Sequence, residues 1–148
     1  MKPKDIPDIE AKALQLYTVL MRASNTLTEK LHRHLLDHRL SISQFGVMEA
    51  LYHLGSMCQK DLGTKILKTS GNITLVIDNL EKRNLVKRMK DRSDRRRVSV
   101  TLTDSGQDLI KRIFPDHSRT ASEIFSVLTP EEQQTLKVLL KKLGLANA

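Results

Sequence analysis

The sequence predicts a mainly helical chain with one small β-hairpin, and three observations carry that expectation. Apolar side chains recur three or four residues apart in most of the chain, which is the spacing of one helix face. Proline is absent between Pro7 and Pro115, so long helices are permitted there. Strict alternation, the strand period, occurs only around residues 85–90 and 97–102. At 148 residues and 16.8 kDa, one domain of ordinary size is expected.

The first helix is predicted from Asp8 to about His38, with Leu14, Tyr17, Leu20, Met21, Ser24, Leu27, Leu31 and Leu35 along one stripe. A helix of roughly 30 residues is about 45 Å long and outruns a core of this size. Its surplus stripe is expected to pack on another long helix or another subunit. Ser41-Ile42-Ser43 reads as a cap, with Ser43 preceding a second helix that runs to about Leu54 and is closed by Gly55. Its apolar side is Phe45, Val47, Met48, Leu51 and Leu54.

A short helix from about Gln59 to Leu67 follows, then the capping cluster Thr69-Ser70-Gly71-Asn72, then a helix to about Arg83 carrying Ile73, Val76, Ile77 and Leu80. Two short helices joined by a tight turn form a helix-turn-helix. Leu85–Lys90 and Arg97–Leu102 are the strands of a hairpin, and the loop between them, DRSDRR, has no apolar residue to bury and projects as a wing. Thr103 and Asp104 start a second long helix with Leu109, Ile110, Ile113 and Phe114 on one face. Thr129-Pro130-Glu131-Glu132 is an N-cap followed by proline at the first helical position. The last helix carries Leu136, Leu139, Leu140 and Leu143, and Gly144 is expected to stop it.

Charge narrows the function. Lys and Arg number 25 against 17 Asp and Glu, a net charge of +8 with a pI of about 9.8, which suits a polyanionic partner such as nucleic acid or an acidic membrane face. Aromatic residues make up only 3% and Trp is absent, so the stacking platforms that grip single strands are missing and duplex DNA is favoured. Cys58 is alone, which excludes an intramolecular disulfide and a thiolate zinc site. The N-terminal stretch has no apolar signal segment, and no apolar run nears a membrane span, so a soluble cytoplasmic protein without a membrane partner is expected. Residues 82–97 hold nine basic and two acidic side chains, so nearly all of the excess sits in the hairpin and the helix end before it. A charge run is most often a solvated face; here it directly follows the helix-turn-helix, which sets a groove-sized helix beside a phosphate-seeking hairpin. Neither a nucleophile turn, a phosphate loop nor a metal motif is present, so an enzyme is not expected.

Two stretches resemble the MarR family of bacterial transcription regulators. DRSDRRRVSVTLTDSG, from Asp91 to Gly106, is similar to the family's wing signature of paired Asp, an Arg pair, a strand and Leu-Thr with Gly three residues on. SGNITLVIDNLEKRNLVKR, from Ser70 to Arg88, is similar to its recognition helix and first wing strand, and the likeness extends over the long first helix and the LTPEE start of the last. The resemblance implies a winged-helix homodimer, with a DNA-binding lobe at about 41–102 and interlocking dimerisation helices at about 8–38 and 103–144. It implies a ligand-released repressor binding a pseudo-palindromic operator; an architectural nucleoid-type protein with little sequence preference is the alternative.

The same resemblance distributes roles among the residues. Ser70, Gly71, Asn72 and Thr74 would face base edges and a phosphate at the recognition helix. Arg96, helped by Arg95, would reach the minor groove, Arg92 is a further DNA-binding candidate, and Asp94 would hold a neighbouring arginine by a charge-assisted hydrogen bond. Lys60, Lys65, Lys68 and Arg88 would contact backbone phosphates. Leu75 stands where many members carry Arg, so it either contacts a thymine methyl or packs into the domain.

Members of the family are typically released by small phenolic or aromatic compounds, oxidants or metals. A pocket for a small aromatic or phenolic effector would draw on Tyr17, Met21, Phe45, Met48, Phe114 and His117, each of which could equally be core. The stretches YTVLMRAS and SGNIT look similar to members answering to quinones and hydroquinones. Cys58, close to Lys60 and a helix start, is the candidate redox residue, although peroxide-sensing members carry their reactive Cys near the first helix, where this chain has none. His34 and His38 lie four apart, but the metal-sensing pattern is incomplete, so neither a metal nor a cofactor is expected.

Overall fold

The computed structural model describes residues 5–66 and 70–148, the side chains at 70 and 71 excepted. Its elements are α1 (Asp8–Leu36), α2 (Ile42–Leu54), β1 (Met57–Cys58), α3 (Gln59–Lys65), α4 (Ser70–Lys82), β2 (Val86–Lys90), β3 (Val98–Leu102), α5 (Asp104–Phe125) and α6 (Pro130–Ala146). The chain is mostly helical with a small antiparallel sheet, as its periodicity predicts. Two compact units are distinguished, one of residues 32–116 and one of residues 1–31 with 117–148.

In the first unit, the ends of the helices follow local chemistry. Ser41, rather than Ser43, is the cap of α2: its hydroxyl accepts from the Gln44 N–H at 3.0 Å, and the Gln44 carboxamide oxygen accepts from the Ser41 N–H at 2.9 Å. This reciprocal box satisfies two orphan donors, which a cap two residues later would leave open. Gly55, at φ 81°, ends α2 as expected.

Two helices end on non-glycine residues in the left-handed region, Arg39 after α1 (φ 55°) and Asn84 after α4 (φ 57°). Around Asn84, the Leu85 N–H bonds to Leu80 O at 3.0 Å and the Asn84 N–H to Glu81 O at 2.9 Å. The same pair of bonds occurs around Arg39, from Leu40 to Leu35 O and from Arg39 to Leu36 O. Both are Schellman motifs, with buried leucines closing the apolar contact across the cap. The Arg83 guanidinium donates to Arg39 O at 2.7 Å and to His38 O at 3.0 Å, tying the end of α4 to the turn after α1.

The sheet has the order β1-β3-β2, all antiparallel, with Met57 opposite Val100 and Arg88 also opposite Val100 on the other side. β1, a two-residue strand, is too short to show alternation in the sequence. Val86, Val100 and Leu102 turn inward onto Phe45, Met48, Leu62, Ile73, Ile77, Leu80, Ile110 and Ile113, all nearly or fully buried. Each such side chain stabilises the fold by roughly 1.5–3 kcal/mol, so this layer sets the plane from which α4 and the hairpin project.

The start of α5 is locked to the hairpin. The Thr103 N–H donates to Leu85 O at 3.1 Å and its hydroxyl to Asn84 O at 2.6 Å, while the Gly106 N–H donates to the same hydroxyl at 3.0 Å. A Cβ at Gly106 would collide with the Leu85 carbonyl and press on Leu102, so this turn of helix can approach the strand only with glycine there.

In the second unit, Thr129 and Glu132 form a capping box, with bonds of 3.1 and 2.9 Å, at the predicted start of α6. The Gln133 carboxamide donates to Phe125 O and Leu128 O, joining α6 to the end of α5. Gly144 does not stop α6, which continues to Ala146; an exposed helical glycine costs only about 1 kcal/mol, too little to end a helix on its own. Ala11 and Ile124 are buried, whereas α6 contributes no buried residue at all.

Candidate nucleic-acid interface

The predicted recognition helix, α4, buries Ile73, Ile77 and Leu80 and leaves Asn72, Thr74 and Leu75 exposed. Leu75 is 60% exposed, which removes the packing alternative and leaves an apolar group on the outward face of the helix. Lys68 lies outside the described residues, as do the side chains of Ser70 and Gly71. Lys60 and Lys65 are exposed on α3, within the same unit.

The wing separates its charges. The Asp91 carboxylate accepts from the Ser93 N–H at 3.0 Å and the Ser93 hydroxyl at 2.8 Å, and the Asp94 carboxylate accepts from the Arg96 N–H at 3.0 Å. Backbone bonds from Asp91 to Arg97 O and from Arg97 to Asp94 O close the loop. The hydrogen bonds from Ser93, followed by the nearby Arg97 charge, hold the Asp91 carboxyl below the usual carboxylate range. Both acids are therefore engaged with the turn itself, while Arg92, Arg95, Arg96 and Arg97 are exposed. Asp94 meets the neighbouring Arg96 at its backbone amide, a hydrogen bond to an ionised acceptor.

Arg88, a candidate phosphate contact, is held by partners within the chain. Its guanidinium lies 2.6 Å from Asp78 Oδ1 and 3.0 Å from Glu81 Oε1, and its backbone N–H donates to Glu81 Oε2 at 3.1 Å. It also reaches Gln59 Oε1 at 3.4 Å and Thr74 O at 3.5 Å, with only 23% of the side chain exposed. Two carboxylates pair with this arginine, so it fastens β2 to α4. The sequence held one signal of this: Asp78 and Glu81 are three apart on one face of a helix assigned to a polyanion, and they require a nearby cation.

Gln59 was missed altogether. At the first position of α3, its Nε2 donates to the Thr74 hydroxyl at 2.7 Å, across 15 residues of sequence. No local pattern announces such a contact.

The six effector candidates divide between the units: Phe45, Met48 and Phe114 in one, Tyr17, Met21 and His117 in the other. Phe45 and Met48 are 2% and 0% exposed, so both are core side chains, correcting the expectation that they line a pocket. Phe114 is half-buried and packs edge-on to His53 with ring centres 4.7 Å apart. Tyr17 and Met21 are exposed and His117 is half-buried. Two surface grooves draw on none of these six: one of about 520 Å³ between Phe125 and Lys141, and one of about 350 Å³ lined by Gly46, Ala50, His53, Leu54 and Ile66 among others. Cys58 occupies the N-cap of α3 without making a side-chain cap bond, and is half-buried opposite Ser99.

The comparisons agree with this geometry. The family model for the MarR family matches residues 40–98, from the turn before α2 to the start of β3. The HTH-type transcriptional regulator MhqR of Bacillus subtilis is 39% identical over 134 residues, covering 90% of this chain and 92% of that protein. The structure of Bordetella bronchiseptica BpsR, whose DNA binding is regulated by 6-hydroxynicotinic acid, superposes with a TM-score of 0.79 at 28% identity, covering 86% of this chain and 91% of that one. MepR of S. aureus, solved with DNA, gives a TM-score of 0.79 at 26% identity over 89% and 98% of the two chains. Sharing its fold with these regulators and over a third of its residues with one of them along nearly its whole length, the chain belongs to the MarR family of transcription regulators.

Proposed function

We propose that this protein is a sequence-specific DNA-binding repressor that engages an inverted-repeat operator as a homodimer and is released by a small aromatic or phenolic effector. One observation carries the reading: the wing keeps its acids inside its own turn and leaves four arginines exposed, in the same compact unit as Thr74 and Leu75 of α4. A helix fits the major groove, and arginine is favoured in a narrow minor groove beside it. MepR was solved bound to DNA, which supports the same partner here.

Dimerisation is supported by what the second unit leaves uncovered. Leu14 and Tyr17 of α1 and Leu139, Leu140 and Leu143 of α6 are 42–62% exposed, an amount of apolar surface that soluble chains cover with a partner. Half-sites about one helical turn apart are then expected. Regulation of BpsR by 6-hydroxynicotinic acid supports an aromatic effector.

Selection of bound duplexes from a random pool tests the reading. An enriched inverted repeat is expected, bound several kcal/mol, about 4 or more, tighter than random duplex. Recovery of no sequence preference would favour the architectural alternative. Sedimentation of Leu139→Glu/Leu143→Glu should show a monomer; a dimer of unchanged strength would place the interface elsewhere.

A further inference from the structure

We infer that Gln59 is a specificity-positioning residue, which holds the Thr74 hydroxyl in place on the reading face of α4 without itself contacting DNA. This inference rests on the DNA-binding reading above.

The orientation of the Gln59 carboxamide is determined by its neighbours. A guanidinium only donates, so the end facing Arg88 Nε is Oε1, and the end facing Thr74 Oγ1, 2.7 Å away, is Nε2. Arg88 is itself held by Asp78 and Glu81. A continuous chain therefore runs from two carboxylates of α4, through a wing-strand arginine and an α3 carboxamide, back to a hydroxyl on α4. With Gln59 as donor, one side of the Thr74 oxygen is occupied, and the directions left for a base edge are restricted. Thr74 is exposed, whereas Gln59 is half-buried behind it. Removing the Gln59 donor changes the directions in which the Thr74 hydroxyl can meet a base edge, and that contact would lose part of the order on which discrimination depends.

A phosphate contact and a positioning contact differ in what they change. Losing a phosphate contact weakens binding to every duplex alike, whereas losing the support of a base-reading group weakens binding to the operator alone. Gln59→Met keeps the length of the side chain and removes its polar atoms. With the duplex selected by the wild-type protein and a scrambled duplex of equal length, Gln59→Met is expected to lower operator affinity by about fivefold or more, and scrambled affinity by less than about twofold. In a Thr74→Val background the same substitution should change the ratio by less than about twofold, because the hydroxyl it acts through is gone. Thermal unfolding of each variant checks that the fold is kept, and Gln59→Ala repeats the comparison if the Met variant fails to fold.

Equal losses on both duplexes would make Gln59 a phosphate contact, and full additivity with Thr74→Val would make its role independent of Thr74; either outcome overturns the inference, as does an unchanged ratio. A wild-type protein that selects no sequence overturns instead the function on which the inference rests.

Discussion

Glu81 of the recognition helix and Arg88 of the first wing strand are joined twice: one carboxylate oxygen accepts from the Arg88 backbone N–H at 3.1 Å and the other from its guanidinium at 3.0 Å. With Asp78 as the third partner, this makes helix and wing one body. Arg88→Ala is expected to lower unfolding stability by about 1–2 kcal/mol, modest because both carboxylates are more than two-fifths exposed. Arg88→Lys should restore only part, since an ammonium cannot serve several acceptors in the fork geometry. Denaturant titration measures both, and an alanine variant as stable as wild type would return Arg88 to the list of phosphate contacts.

Gly106→Ala tests the close approach of α5 to the hairpin. The added methyl meets a backbone carbonyl, Leu85 O, which cannot move aside as a side-chain tip can. We expect a destabilisation of more than about 3 kcal/mol or failure to fold. Gly144→Ala, on exposed α6 where nothing lies within 4 Å, should instead stabilise by roughly 0.5–1 kcal/mol. Similar effects at the two positions would refute the steric account.

Arg96→Ala should weaken operator binding by about tenfold or more and lower the salt dependence of binding, with the circular dichroism spectrum unchanged. Asp94→Ala should produce part of the same loss, because Asp94 sets the Arg96 backbone amide. Fluorescence anisotropy on the selected duplex at fixed salt decides the matter; full affinity of the Arg96 variant at physiological salt would remove the wing from the interface.

His34 predicts a pH dependence of stability. Burial, followed by the charges of His38 and His32, lowers its pKa against a smaller opposing effect of Asp37. The folded chain therefore favours neutral His34. As pH falls through the ordinary histidine range the unfolded chain takes up the proton first, so stability is lost on the way down to the lowered folded value and is fully present above that range. Unfolding free energies at about pH 7.5 and 5.5 should differ more for wild type than for His34→Gln. Equal slopes would mean that other groups carry the dependence.

What the sequence determined by itself is local. The helical stripes, the capping box of the last helix and the glycine after α2 follow from spacing and side-chain chemistry within a few residues, and chain order alone sets the basic loop of residues 91–97 one strand after two short helices. Tertiary structure decided whatever depends on the chain returning to itself. It placed a carboxamide from residue 59 against the hydroxyl of residue 74, and gave Arg88 to two acids of α4. Phe45 and Met48 entered the core, and Leu75 of the same apolar character stayed outside it. A lone side chain has the same composition in either setting; its role comes from which neighbours remove it from water and cancel its charge, and those are chosen by packing between distant segments.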